Sequence, residues 1–476
     1  MGKDKKTDFQ AQVVVVGGGA SGLAAAATAL ENGIKSVFVI EKRNAVGGNG
    51  VFAGGAFAIV PTNNYGLEDL IDSYFKKAMN YSHWKTNPKL IRALLWNSSD
   101  VLTWLKTKGL RYELRRFGSE MMLPLFVSNE KTGGAAVVKA LAADVERRGG
   151  EIFTGTSAVA LLKDKNNRVN GVVASKNGGL LNIKTRSVIL ATGGFAGNRN
   201  LMEKYFPYCN YKDYYIKGLK HSGDGINMAL AAGAASEGNA VLEMDGPDFP
   251  WSPYFFSRIS AMHYGIWLNK HGERFTDESV MNMFENAHSL ERQPGKISYT
   301  IFDENIKRYV YEEALSQMSE MSGKDWPEKV EKDLHFQMDK GRVRISSSWG
   351  EIAGWMGIDE DKLKATVERY NSYCNKGHDD DFAKDKKALI PLQNPPFYAV
   401  RCCLSILVTH GGIKVNHLLE ALDQNNDPIP GLYAAGVEIA GREANTYNSA
   451  LPGHSFGFSI QSGRIAGENA AKYVSC

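Results

Sequence analysis

The chain has 476 residues, of which 43 % are hydrophobic and 23 % charged, the balance of a folded globular protein rather than a disordered or fibrous one. Lys and Arg (56) against Asp and Glu (52) give a net charge of +4 with no basic stripe, which argues against a nucleic-acid partner. The cysteines Cys209, Cys374, Cys402, Cys403 and Cys476 form neither a CxxC nor a metal-ligand spacing, so the expectation is no metal, no disulfide framework and a reduced, cytoplasmic setting.

MGKDKK at the start resembles the charged end of a secretory signal, but Asp8, Gln10 and Gln12 interrupt the apolar stretch behind it. No window of about 18 uninterrupted apolar residues follows, so no membrane span is expected. Residues 13–16 read as a buried strand, 22–32 as an alanine-rich helix and 36–40 as a second strand, together one βαβ unit. Between strand and helix, GGGASG places Gly17, Gly19 and Gly22 in GxGxxG register. Those glycines allow a tight turn, close approach to a pyrophosphate and close helix packing, while the helix N-terminus offers N–H groups to the anion. Glu41 ends the second strand where an acid takes a ribose hydroxyl, and Lys42 and Arg43 follow it.

Further strands at 187–190 and 432–434 run into glycine, and three glycine clusters stand far apart: GGNGVFAGG (47–55), ATGG (191–194) and PIPGLYAAG (428–436). Several close backbone approaches spread over the chain suit a long ligand threaded through the fold, which selects FAD over NAD. The middle changes character. Residues 243–264 are crowded with Pro, Trp, Phe and Tyr, 349–375 read as helical with polar faces, and the charged run 376–387 reads as a solvated surface loop. Cys402 and Cys403 are neighbours on a strand and point to opposite faces, which argues against a redox pair. The expected fold class is α/β. A Rossmann-like FAD-binding domain is built from both chain ends, residues 1–245 and 396–476, around an inserted α+β capping domain, residues 246–395.

VVVVGGGASGLAAA, EKRNAVGGNG, VILATGGFAGN, GDGINMALAAGA, WLNKHGERFTDE, VTHGG, IPGLYAAG and GRIAGENAAKYV together resemble the flavoprotein family of fumarate reductases, succinate dehydrogenases, urocanate reductases and ketosteroid dehydrogenases. The likeness spans nearly the whole chain and implies bound FAD under a mobile capping lobe. On that resemblance Gly17, Gly19, Ala20, Ser21 and Gly22 hold the pyrophosphate, Glu41 the adenosine ribose, and Ala158 or Val159 the adenine, with Lys42 a further cofactor contact. Gly47, Gly48 and Asn49 line pyrophosphate and flavin, and Gly54, Gly55, Ala191, Thr192, Gly193, Asp224 and Glu438 are further cofactor-binding residues. His410, Gly436, Leu451, Gly453, Ser455 and Phe456 lie toward the ribityl chain and ring. Many members carry Glu directly after AAG; here Val437 stands there and Glu438 one further on. Members with covalent FAD have a histidine between the positions of Asn49 and Gly55, and its absence implies noncovalent FAD.

Extending the motifs without gaps, the two arginines and two histidines that grip fumarate fall on Asn282, Ala450, Val408 and Asp245, and the relay glutamate falls on Arg258. A buried Asn or Ala does not neutralise a carboxylate. The expected substrate is therefore an apolar or aromatic carbonyl compound whose activated C=C exchanges a hydride with flavin N5, among the aromatics Trp251, Tyr254, Phe255, Phe256, Tyr264 and Tyr447. Tyr447 and His454 are the first choices for catalysis, with Gly453 lending a backbone N–H, and Tyr264, His263 and Arg258 next. His221 reads as structural. The alternatives are a fumarate-type reductase with displaced residues, a flavin oxidase and a non-catalytic flavin-binding protein. Neither a haem CxxCH nor a covalent-FMN domain occurs, so the electron donor or acceptor is expected to be external.

Overall fold

Val13–Val16 pairs in parallel with Val37–Ile40 on one side and Ser187–Leu190 on the other, and all three strands are buried along their whole length. Unbroken runs of Val, Ile and Leu suit a parallel sheet covered on both faces. The sheet continues to Glu151–Phe153 at one edge and through Pro428–Ala434 to Glu420–Leu422 at the other. The last strand expected at 432–434 is thus longer, because Pro428 also pairs across to Leu422.

The computed structural model describes residues 7–57, 67–96, 98–117, 121–127, 130, 132–237, 240–251, 262–280, 282–318, 326–451 and 453–476. Helix Ala20–Glu31 buries all but its last residue, and the C-terminal helix His454–Ser475 packs on its small side chains. A Cβ on Gly463 would stand 2.1 Å from the Ser21 carbonyl oxygen, and one on Gly467 would stand 2.3 Å from that of Ala25. The two ends of the chain therefore meet backbone to backbone. A second sheet in the same unit orders Thr7–Gln10, Gly179–Lys184, Val169–Lys176 and Ser157–Lys163.

The chain divides into two units, one made of Met1–Tyr208, Gly218–Glu243 and Val408–Cys476, the other of Cys209–Lys217 and Met244–Leu407. The expected boundary at 245/246 lies two residues away. The expected one at 395/396 lies twelve residues early, because strand Phe397–His410 first serves the second unit, pairing with Ile297–Asp303 and Val343–Ser346. The core of that second unit includes Phe249, Tyr264, Tyr299, Phe302 and Tyr370.

Helices Trp349–Met356 and Glu360–Lys376 fill the segment read as helical. The run 376–387 is mostly the exposed surface loop its charges suggest, with two exceptions. Asp379 and Lys384 are buried; Asp379 accepts two hydrogen bonds from Arg274, at 3.2 and 2.8 Å, and Lys384 Nζ donates to the Gly265 carbonyl at 2.5 Å, beside Glu278 at 3.4 Å. Opposite charges in one run pair inward as readily as they face water when a buried arginine waits for them.

Candidate active site

The glycine turn is built to receive a phosphate. Gly17 has φ +111°, and a Cβ there would meet the Ala191 carbonyl oxygen at 2.2 Å, so the turn excludes any side chain. Gly19 caps helix Ala20–Glu31 without a side-chain hydrogen bond, and the first turn holds no acid. Space over Gly19 is open: the nearest atom to a Cβ there is Gly48 Cα, 4.0 Å away. An uncapped helix N-terminus under open space is what a pyrophosphate needs, so the residues fit FAD. Glu41, buried, accepts from the Gly18 and Arg43 N–H groups, each at 2.8 Å, which fixes its carboxylate at the end of the strand.

A cavity of about 780 Å³ is lined by Lys42, next after Glu41, and by Ala158, Val159, Asp224, Asn227 and Met228 among others. Lys42, Ala158, Val159 and Asp224 among them were expected as cofactor contacts, Ala158 or Val159 at the adenine. Lys42 Nζ donates to Asp224 at 2.8 Å and to Ser222 at 2.5 Å, and Val159 leaves 49 % of its surface exposed in the lining. Asn49 accepts the Leu219 N–H at 2.7 Å, and the His221 ring lies against Gly193. Burial, helped by Lys42 and Arg43, brings His221 down to about 4, so it is a neutral packing group.

Thr192, in the ATGG turn, donates its N–H and its hydroxyl to Glu438, at 2.6 and 2.7 Å. Its hydroxyl oxygen also accepts the Gly225 N–H at 2.9 Å. Burial raises the Glu438 carboxyl to about 8 against the pull of those Thr192 bonds, while nearby Asp224 adds to the rise. Gly436 donates to Ser462 Oγ at 2.9 Å, and Phe456 packs edge-on against Phe57.

A chain of buried polar groups runs beside the last glycine turn. Ser455 Oγ and His410 Nε2 both donate to Glu243 Oε2, each at 2.8 Å. Arg442 Nη2 donates to His410 Nδ1 at 2.7 Å. Because an arginine only donates, that bond fixes His410 as the neutral Nε2–H tautomer. Burial and the Arg442 charge lower its pKa in the same sense, against the influence of Glu243. Glu443 lies 3.7 Å from Arg442 Nε and accepts from His454 Nε2 at 2.6 Å, while His454 Nδ1 faces the Leu451 carbonyl at 2.8 Å. Burial alone would raise Glu443, but His454, with Arg442, outweighs it and brings the carboxyl down to about 2. Tyr447 stacks on His454 with ring centroids 4.5 Å apart and takes the Ser455 backbone N–H on its hydroxyl. Burial, with Glu243 and Glu443 adding, holds that phenol well above its usual range, so it stays protonated. Gly453, at φ +78°, turns the chain into helix His454–Ser475 just there.

Of the expected catalytic residues, Tyr447, His454 and Gly453 come together with His410. Tyr264 instead packs in the core of the second unit, edge-on to Tyr309 and against the His263 ring. Trp251 packs on Phe249 and Tyr215, and Arg258, Tyr254, Phe255 and Phe256 lie outside the described residues. Where fumarate's grip was expected, Asn282 caps helix Met283–Glu291, Asp245 pairs with Lys217, and Val408 and Ala450 carry no charge. The sequence reading missed Glu243, Arg442 and Glu443. Glu243 is two residues before Asp245 and His410 two after Val408, so strand alternation carries each on the same strand face as the replaced residue.

The FAD binding domain family matches residues 12–450. The chain belongs to that family. It is 30 % identical to vinyl phenol reductase of Lactiplantibacillus plantarum over 97 % of this chain and 96 % of that protein. It is likewise 30 % identical to urocanate reductase of Eggerthella lenta, over 96 % of this chain and 74 % of that one. Among solved structures, the open conformation of a flavocytochrome c3 fumarate reductase superposes with a TM-score of 0.76 at 25 % identity, covering 98 % of this chain and 79 % of that one. This FAD binding domain protein is an FAD-dependent oxidoreductase acting on carbon–carbon double bonds, with the α/β fold and the family read in its sequence. Among its described residues no helix is long and apolar enough to cross a membrane.

Proposed function

We propose that this protein reduces the C=C bond of an apolar or aromatic carbonyl compound, an enone or an aryl enoate. The carrying observation is charge: at the positions where the fumarate grip would lie, Val408 and Ala450 offer no cation and Asn282 is spent on capping a helix. A second carboxylate would be left unpaired, at a cost of several kcal/mol in a dry site. Bound FAD supplies hydride chemistry at N5. In this reading the chain's own groups orient the substrate and handle its proton and developing charge. Tyr447, a neutral phenol, donates toward the carbonyl oxygen, and the N-terminus of helix His454–Ser475 at Gly453 adds its dipole. His454, tied at both ring nitrogens, positions Tyr447 by stacking.

With no histidine between Asn49 and Gly55, the FAD is noncovalent. Acid precipitation of the protein should release all of the flavin into solution. Electrons come from an external donor.

The deciding experiment is anaerobic. The flavin is reduced chemically, and its re-oxidation is followed on adding fumarate, urocanate, a steroid enone, cinnamate or 4-vinylphenol in turn. Re-oxidation by the enone or cinnamate and not by fumarate is the expected result; rapid re-oxidation by fumarate overturns the reading. The whole-length likeness to vinyl phenol reductase favours 4-vinylphenol as the second candidate.

A further inference from the structure

Arg442 is only 2 % exposed, yet of its three guanidinium nitrogens only Nη2 makes a hydrogen bond, to His410. Nη1 and Nε have no hydrogen-bond partner among the described residues. Nε at least faces Glu443, 3.7 Å away. Nη1, with two N–H groups, has no partner of any kind among the described residues. A guanidinium is taken out of water at a cost of several kcal/mol, and a buried donor left vacant adds about 1–3 kcal/mol. Folded proteins seldom leave such a group without a reason, and an incoming acceptor is one.

The surroundings say what kind of acceptor. Glu243 and Glu443 are already engaged, the first by Ser455 and His410, the second by His454 and by the Asn448 N–H at 3.0 Å. His410, fixed as an acceptor at Nδ1, holds Nη2 in place and so fixes the plane of the guanidinium. Tyr447 lies over the same imidazole pair, its ring 5.5 Å from that of His410 and 4.5 Å from that of His454. A planar, preorganised cation beside an aromatic wall matches a conjugated oxygen, which gains negative charge as hydride reaches the far carbon of its C=C.

We propose that Arg442 is the substrate anchor and binds the carbonyl or carboxylate oxygen conjugated to the reacting C=C through Nη1. Resting on the function proposed above, this names the group that replaces the lost arginine at Ala450: a guanidinium eight residues earlier in the chain, able to grip one oxygen-bearing group rather than two. Arg442 thereby determines specificity. His410 is a positioning residue, since it acts through Arg442.

The test is equilibrium binding, which does not depend on turnover. Holoenzyme is titrated calorimetrically with 3-phenylpropanoate, the saturated product analogue, for the wild type, Arg442→Lys and Arg442→Met, with the flavin midpoint potential measured on each. The expected result is a loss of roughly 10- to 100-fold in affinity for Arg442→Met, the range of one charge-assisted hydrogen bond, an intermediate loss for Arg442→Lys, and an unchanged potential. Arg442→Lys keeps the buried charge, so a loss of affinity in that variant carries the inference even if Arg442→Met does not fold. Affinity within threefold of wild type in the folded variants overturns it. So does a potential that falls while affinity holds, which would assign Arg442 to the flavin, and so does a wild type that does not bind 3-phenylpropanoate. Failure of the functional reading looks different: 3-phenylpropanoate binds through Arg442, yet neither cinnamate nor an enone re-oxidises the flavin.

Discussion

Thr192 gives both of its hydrogen-bond donors to Glu438, the backbone N–H at 2.6 Å and the hydroxyl at 2.7 Å. No cation is among the groups that set the Glu438 carboxyl, which burial lifts from 4.5 to about 8. A carboxyl whose folded value lies above its unfolded one holds its proton more tightly when folded. Its stabilising contribution is therefore whole below the unfolded value of 4.5 and is lost as pH rises through 8. Glu438→Gln mimics the protonated acid and removes the titration. Between about pH 7 and about pH 9 the wild-type melting temperature should fall by roughly 2 °C more than that of the variant. Parallel melting curves in differential scanning calorimetry would show that Glu438 does not carry a proton.

Gly17 and Gly19 should fail differently. A Cβ on Gly17 collides with the Ala191 carbonyl oxygen at 2.2 Å, whereas one on Gly19 meets nothing closer than 4.0 Å. Gly17→Ala should destabilise the fold itself. Gly19→Ala should leave the melting temperature of the flavin-free protein unchanged and still weaken FAD binding at least tenfold, read by flavin fluorescence on dilution, because the added methyl stands where the pyrophosphate must approach.

Glu443 stands between Arg442 and His454 and is fully buried. Removing its charge leaves both partners uncompensated, so Glu443→Gln should cost about 3–5 kcal/mol in urea unfolding. Its carboxyl is held down at about 2 when folded, so the stability it contributes is present above 4.5 and is lost as pH falls toward 2. The variant should lack that part of the acid transition.

Tyr447→Phe keeps the ring that stacks on His454 and removes only the hydroxyl at the Ser455 N–H. Flavin should stay bound at wild-type affinity while single-turnover reduction of the favoured alkene slows by about 100-fold or more. Unchanged single-turnover rates would take Tyr447 out of the chemistry.

The cofactor end was legible because its demands are local. Gly17, Gly19 and Gly22 lie within one turn, and the strands beside them are unbroken runs of Val, Ile and Leu, so composition and spacing alone carry the signal. The reacting end was legible in part, through Tyr447, Gly453, His454 and His410 and through the fumarate-binding residues it lacked. Glu243, His410, Arg442 and Glu443 come from three separate segments, and of the four only His410, in VTHGG, belongs to a quoted motif. Arginine and glutamate are ordinarily exposed, so a sequence gives no reason to bury them together. Asp379 and Lys384 misled in the same way: a charged run looks like surface until its partner, Arg274, is brought against it from 105 residues away.

The contact of Gly463 with Ser21 and of Gly467 with Ala25 has a consequence for how the protein is made. The first βαβ unit is made early, with an apolar helix flank that helix His454–Ser475, more than 400 residues later, covers. The stretch Met244–Leu407, continuous in sequence, can assemble while synthesis proceeds. The nucleotide fold cannot close until helix His454–Ser475 has been made, and a chain in which that helix is absent leaves the alanine-rich face of helix Ala20–Glu31 open.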